Sequence, residues 1–183
     1  MRTTRLVAMG TALLIVGGCG DDGGPIGPAA TPRALDARTS ELAASGARHV
    51  EASGHFDALV DFSTLTLTPR GENCLLVVKG ALVFSGTLEG TAAGETSALV
   101  FAPCDVVATT PPGTFPDVFK SELTFEGTVD GEAAQAKMLY MGRVQPGGRI
   151  DGRLVLSNGV AGRLDADAVV AVGGEYAGSI VVP

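Results

Sequence analysis

The sequence predicts an all-β protein: a small antiparallel up-and-down β-barrel of about eight strands over residues 48–183. Three observations predict it. From about Val50 onward, apolar and polar residues alternate with a period of two, the pattern of strands buried on one face and wet on the other. Tight-turn signals separate the runs at Asp130-Gly131, Asn158-Gly159 and Gly173-Gly174, with a slightly longer one at Pro146–Gly148. Asn, Asp and Gly tolerate the positive φ that two-residue hairpins need. Finally, nearly every strand carries a glycine on its apolar parity, and "FSGTLEG" (Phe84–Gly90) is nearly repeated as "FEGTVDG" (Phe125–Gly131). A strand glycine is destabilising by about 0.5–1 kcal/mol relative to alanine. Its recurrence therefore implies sharp bends, or rings lying against the backbone. A sheet that curls until it closes needs both.

The elements follow in chain order. Arg2 and Arg5 precede an apolar run of 11 residues, Leu6–Val16. That length suits a secretory signal and is too short to span a bilayer. The run ends in "VGGC", with small residues immediately before Cys19. This order resembles the lipobox of bacterial lipoproteins. The resemblance implies that residues 1–18 are a signal peptide removed before Cys19, and that the Cys19 sulfur carries a diacylglyceryl group. Acyl chains contribute about 0.8 kcal/mol per buried CH₂, and two or more give a stable anchor. The alternative is an ordinary signal peptide with an incidental cysteine. Residues 19–47 are rich in Gly, Pro, Ala and Ser, too poor in large apolar side chains to offset their ordering entropy. They read as a flexible tether reaching on the order of 30 Å.

The strand readings begin with a long run near 48–62, a short one near 64–68, one near 74–88 and one near 95–102. Five more, from about Phe119 to Val182, make a hairpin-linked meander. Parity places Gly54, Gly86, Gly127, Gly152, Gly162 and Gly178 on inward faces. The inward alanines Ala52, Ala58, Ala134, Ala136, Ala166 and Ala168 leave room for an interior cavity. Two cysteines follow the tether, Cys74 and Cys104. In an exported chain they predict one disulfide, worth roughly 3–4 kcal/mol for a closed loop of about 30 residues. Two buried free thiols are the alternative.

The repeat "FSGTLEG…FEGTVDG" and the Gly-punctuated hairpins after it resemble an uncharacterised bacterial domain family grouped with allene oxide cyclase and dirigent-type barrels. The resemblance covers residues 48–183 and implies a barrel. It carries over no catalytic residue, because no position matches a catalytic motif of the plant cyclases.

Composition excludes some functions. Removing residues 1–18 leaves 11 basic and 20 acidic side chains, a formal charge of −9, which does not support a basic groove for nucleic acid. An anionic membrane surface would repel such a domain, so the lipid would hold it there. His49 and His55, the only histidines, fall on outward parities, as do Asp165 and Asp167. No nucleophile elbow, phosphate loop, zinc-protease helix, dinucleotide fingerprint or calcium loop occurs. No catalytic residue, metal ligand or cofactor is assigned. Tyr140 and Tyr176 have inward parity and hydroxyls that need partners when buried. Phe115 lies at the tip of the irregular stretch Cys104–Phe119, a candidate lid. These three are the ligand-binding candidates. The expectation is an exported, lipid-anchored envelope protein that binds a small apolar ligand or an envelope partner, its oligomeric state open. An isomerase by analogy of fold, and a purely structural envelope protein, are the alternatives.

Overall fold

The computed structural model describes residues 46–183, which form one closed ring of eight antiparallel strands. They are β1 (Arg48–Arg70), β2 (Asn73–Gly86), β3 (Leu88–Val100), β4 (Asp117–Val129), β5 (Glu132–Val144), β6 (Arg149–Ser157), β7 (Ala161–Val169) and β8 (Gly173–Val182). A single helical turn, α1 (Cys104–Val107), lies between β3 and β4. Each strand pairs with its chain neighbour, and β8 closes the ring on β1 from Arg48↔Val182 to Asp57↔Gly173. Closure leaves no unpaired edge along the ring. The signal segment, Cys19 and the tether up to residue 45 lie outside the described residues.

The two-residue alternation sets the faces. Val50, Ala52 and Phe56 of β1, Leu123 and Phe125 of β4, and Leu164, Ala166 and Ala168 of β7 are buried inside. Glu51, His55, Asp57, Glu122, Glu126, Asp165 and Asp167 are exposed outside. A charged exterior around an apolar interior is the reverse of a barrel whose outer wall faces lipid.

Four details depart from the sequence expectation. The runs near 48–62 and 64–68 belong to one strand, β1, whose pairing with β2 slips between Asp61 and Thr66. Local hydrogen bonds carry the chain through the irregularity. Asp61 Oδ1 accepts from the Ser63 N–H at 3.0 Å, and Thr64 Oγ1 accepts from the Lys79 N–H at 2.9 Å. The run near 74–88 ends at Gly86, and β3 starts at Leu88 rather than near 95. Gly86 has φ +105°, the neighbouring Thr87 N–H donates to the Ser53 carbonyl at 3.0 Å, and Thr87 Oγ1 accepts from the Ser53 N–H at 3.1 Å. The chain therefore turns a corner there. The first copy of the repeat folds around that corner and the second runs along β4, so the copies meet with Gly90 opposite Gly127. Gly86 is consequently exposed, not inward. Lastly, the turn assigned to Gly173-Gly174 lies at Val170–Val172, where Ala171 has φ +59°. Gly173 is already in β8, packed so closely on the Phe56 carbonyl that no Cβ would fit.

The interior is not uniform along the barrel axis. At the end where β1 begins, rings and branched chains fill it: Phe84 meets Phe125 and Tyr176 edge-on at 5.9 and 5.5 Å. Leu88, Val129, Val160 and Ile180 are fully buried there. Ala52, Ala136 and Ala166 are also buried in this continuous core, so these alanines do not open a cavity as their size suggested. The opposite end, where β3 ends and β4 begins, carries smaller inward residues.

Candidate functional site

That opposite end contains a cavity of about 360 Å³, within the range of small-molecule pockets. Its walls are mostly apolar and include Val78, Leu82, Ala98 and Val144. Phe56 and Tyr140 line it from below, and the Phe56 ring lies tilted against Phe84 of the packed half, centroids 5.5 Å apart. The hollow arises because β2, β3 and β4 place Val78, Thr96, Ala98 and Ser121 inward here, where the packed half places Phe84 and Phe125.

Residues 101–116 cross the mouth as a lid held on both sides. The predicted disulfide is present: Cys74 and Cys104 are bonded, with Cα atoms 4.8 Å apart, which ties the lid to the start of β2. The neck is closed where the Phe101 N–H donates to the Pro116 carbonyl at 3.1 Å. On the far side the Gly147 N–H donates to the Gly113 carbonyl at 3.1 Å, and the Val170 N–H to the Gly148 carbonyl at 2.9 Å. Gly113 has φ +81°, and a Cβ there would stand 2.7 Å from Gly148 Cα, so the lid meets the Pro146–Gly148 turn backbone to backbone. Phe115 is not an exposed tip. It is half-buried and packs against the small cluster of Cys74, Val100 and Ala102, while also lining the cavity. It anchors the lid at the cavity wall.

Polar side chains interrupt the apolar lining: Thr110 and Thr114 from the lid, Lys79 at the rim, and Asp117, Thr96, Ser121 and Tyr140 from the strands. Asp117, the first residue of β4, is 9% exposed, and its Oδ1 has no hydrogen-bond partner within the protein. Burial raises its carboxyl from the ordinary carboxylate range to about 6. Ser121 Oγ and Thr96 Oγ1 bond to each other at 2.7 Å. Tyr140 is 5% exposed, its ring edge-on to Phe119 at 4.8 Å, and its hydroxyl also has no partner. Burial pushes that phenol well above its usual value. Buried polar groups are ordinarily satisfied; Asp117 and Tyr140 are unsatisfied residues of the cavity wall, and a third such group, the Thr128 hydroxyl, lies at the packed end of β4.

Sequence reasoning missed Asp117 because it fell inside the stretch read as irregular. One signal could have found it. Asp117, Phe119, Ser121, Leu123 and Phe125 share one parity, and extending the β4 pattern back by two residues puts an acid on the inward row.

The structure separates the two tyrosines. Tyr140 lines the cavity; Tyr176 lies in the packed half and does not. The Tyr176 hydroxyl accepts from the Leu88 N–H at 2.9 Å and donates towards the Ser85 carbonyl at 3.2 Å, tying down the β2–β3 corner. Tyr176 therefore lies outside the apolar cavity and ties the barrel together, bordering instead an open hollow on the outer face. Both rings rest on glycines, as the recurrence of inward glycine implied. A Cβ on Gly152 would come within 2.6 Å of the Tyr140 ring, and one on Gly54 within 2.5 Å of the Tyr176 hydroxyl.

The outer face carries this second, more open and more polar hollow, over the glycines of β1, β5 and β6, lined by His55, Met141, Asp151, Arg153, Asp165 and Glu175. His55 faces Asp57 at 3.3 Å, Arg149 pairs with Asp167 at 2.9 Å and Arg153 with Asp165 at 3.5 Å, all exposed. Among the described residues no three His, Cys, Asp or Glu side chains group as they would around a metal ion. Leu59 and Phe62 of β1 and Val169 at the end of β7 give the mouth an exposed apolar rim. No protein family, curated protein or solved structure matches this chain, so its site stands on its own geometry: an apolar chamber under a disulfide-pinned lid, with a buried acid and a phenol left unpartnered inside it.

Proposed function

We propose that this chain is an exported lipoprotein, anchored to a bacterial membrane through Cys19, whose barrel holds a small apolar ligand beneath the lid. The cavity carries the reading: a packed barrel would need no hollow half, and this one is mostly apolar and, at about 360 Å³, within the range of small-molecule pockets. The order of basic head, apolar run, small residues and cysteine supports the anchor. The apolar rim suits entry of a poorly soluble molecule from a lipid environment. A set of lipophilic probes should raise the melting temperature saturably. Ala98→Phe, which fills the chamber, should abolish the shift while circular dichroism still reports the barrel. If no apolar probe binds, the reading fails. Labelled palmitate should appear on the intact protein and be lost in Cys19→Ser.

One observation favours a second reading. An acid that ionises near neutral pH shares a cavity with a buried phenol, and such groups serve proton transfer. Under that reading the barrel isomerises an apolar substrate. Deuterium exchanged from solvent into a bound ligand, and lost in Asp117→Asn, would favour it over binding alone.

A further inference from the structure

Resting on the binding reading, the chemistry of the cavity narrows the ligand class: we propose that the ligand is an apolar amine, an aliphatic or aromatic body ending in a single cationic nitrogen, and that the Asp117 carboxylate receives this head beneath the lid.

The argument begins with what Asp117 lacks. It lies at the start of β4, opposite Val100 on β3 and Val144 on β5, both apolar. The charged side chains of the surrounding elements are exposed: Glu95 on β3, Asp105 on α1, Lys120 and Glu122 on β4, and Arg143 on β5. Lys120 already pairs with Glu122 at 2.5 Å. Lys79 reaches the cavity rim from β2 but is exposed and makes no ion pair with Asp117. An ionised carboxylate accepts hydrogen bonds and donates none. Left alone in an apolar chamber it is destabilising, and it becomes favourable only when a donor of opposite charge arrives.

A cationic nitrogen supplies both charge and donors. It offers up to three hydrogens. The Asp117 carboxylate takes one; Ser121 lies four residues further along the same strand, on the order of 13 Å away, so the Thr96–Ser121 hydroxyl pair faces the body of the ligand and not its head. The apolar remainder of the ligand faces Val78, Leu82, Ala98 and the Phe56 ring. A carboxylate or phosphate head would meet a like charge with no buried cation to offset it. A plain alcohol would satisfy one oxygen but gain no ionic attraction.

The titration of Asp117 gives the proposal a pH signature. The carboxyl titrates at about 6 in the empty cavity, and an alkylamine stays protonated throughout the range from 5 to 8. Raising the pH through 6 therefore converts a neutral acid into the charged partner. Amine affinity should rise by about tenfold between pH 5 and pH 8, following the ionised fraction. Alcohol affinity should not rise.

Isothermal titration of the purified protein with a matched set tests this: phenylbutylamine, phenylbutanol, phenylbutyrate and butylbenzene. At pH 8 the amine should bind about tenfold or more tighter than the alcohol and the hydrocarbon, and the acid weakest. Asp117→Asn should erase the preference while the hydrocarbon still binds. Should that variant fail to fold, the wild-type pH series decides alone. Alcohol or hydrocarbon binding as tightly as the amine, or amine affinity flat from pH 5 to 8, overturns the amine and leaves the apolar cavity site standing. No binding by any of the four overturns both.

Discussion

Tyr140 and Tyr176 are the same residue type, both inward and both nearly fully buried, yet their hydroxyls are in opposite situations. The Tyr176 hydroxyl completes the β2–β3 corner by accepting from the buried Leu88 N–H. Removing it strands that donor, and an unsatisfied buried group costs about 1–3 kcal/mol. The Tyr140 hydroxyl is buried and has no hydrogen-bond partner within the protein. Removing it relieves that burden, so Tyr140→Phe should be neutral or stabilising by up to about 1 kcal/mol, whereas Tyr176→Phe should lose about 1–3 kcal/mol. Urea unfolding of the two variants beside the wild type measures both. If they lose stability equally, the difference drawn between the two hydroxyls is wrong. Parity in the sequence was enough to turn both rings inward. It could not say which end of the barrel each occupies, because that depends on the register of β5 against β6 and of β8 against β1, and on the corner at Gly86.

The lid belongs to the scale of elements. Its pairing was legible because only two cysteines follow the tether, so an exported chain has one bridge to make. Its second attachment, Gly113 on the Pro146–Gly148 turn, was not, because backbone-to-backbone contact leaves no side-chain pattern. The misplaced turn at Gly173 has a related cause: Gly173 has φ +124° and packs on the Phe56 carbonyl, so it needs to be glycine while standing one residue beyond the turn, whose own positive φ is taken by Ala171. Because the lid is fastened twice, cutting one fastening should loosen it without opening the barrel. Cys74→Ala with Cys104→Ala should lower global stability by about 3 kcal/mol through the freed loop of the unfolded chain. Amide exchange should accelerate in residues 101–116 well beyond that global change, with β5–β8 changed only in step with it. Uniform acceleration across the whole chain would show that the lid has no independence from the ring.

At the scale of the molecule, the repeated glycines announced closure and the pattern gave about eight strands, nine runs becoming eight where 48–62 and 64–68 join in β1, but the hollow half was not announced. A cavity is a sum over eight strands in register, and side-chain size in any one strand says little about it. Of the six alanines read as leaving space, Ala58 and Ala168 do line the chamber, while Ala52, Ala134, Ala136 and Ala166 are outside its lining; the rest of the space lies beside Val78, Ala98 and Ser121. The barrel thus has a mechanically dense end and a yielding one, and this asymmetry can be measured with one substitution made twice. Val129 is fully buried at the packed end, and Val78 lines the chamber at 8% exposure. Val129→Ala removes two methyl-sized groups from close packing and leaves a new void, so transfer and cavity terms add to roughly 2–3 kcal/mol. Val78→Ala enlarges a space that already exists and forfeits contacts on one side only, so its cost should stay near 1 kcal/mol or below. A saturating apolar probe should separate the pair further. Ligand contacts with Val78 add to the cost of losing it, while Val129, remote from the chamber, should be unaffected. Equal costs without ligand, and no change at Val78 with it, would mean that the chamber is closed in solution and that the barrel is packed from end to end.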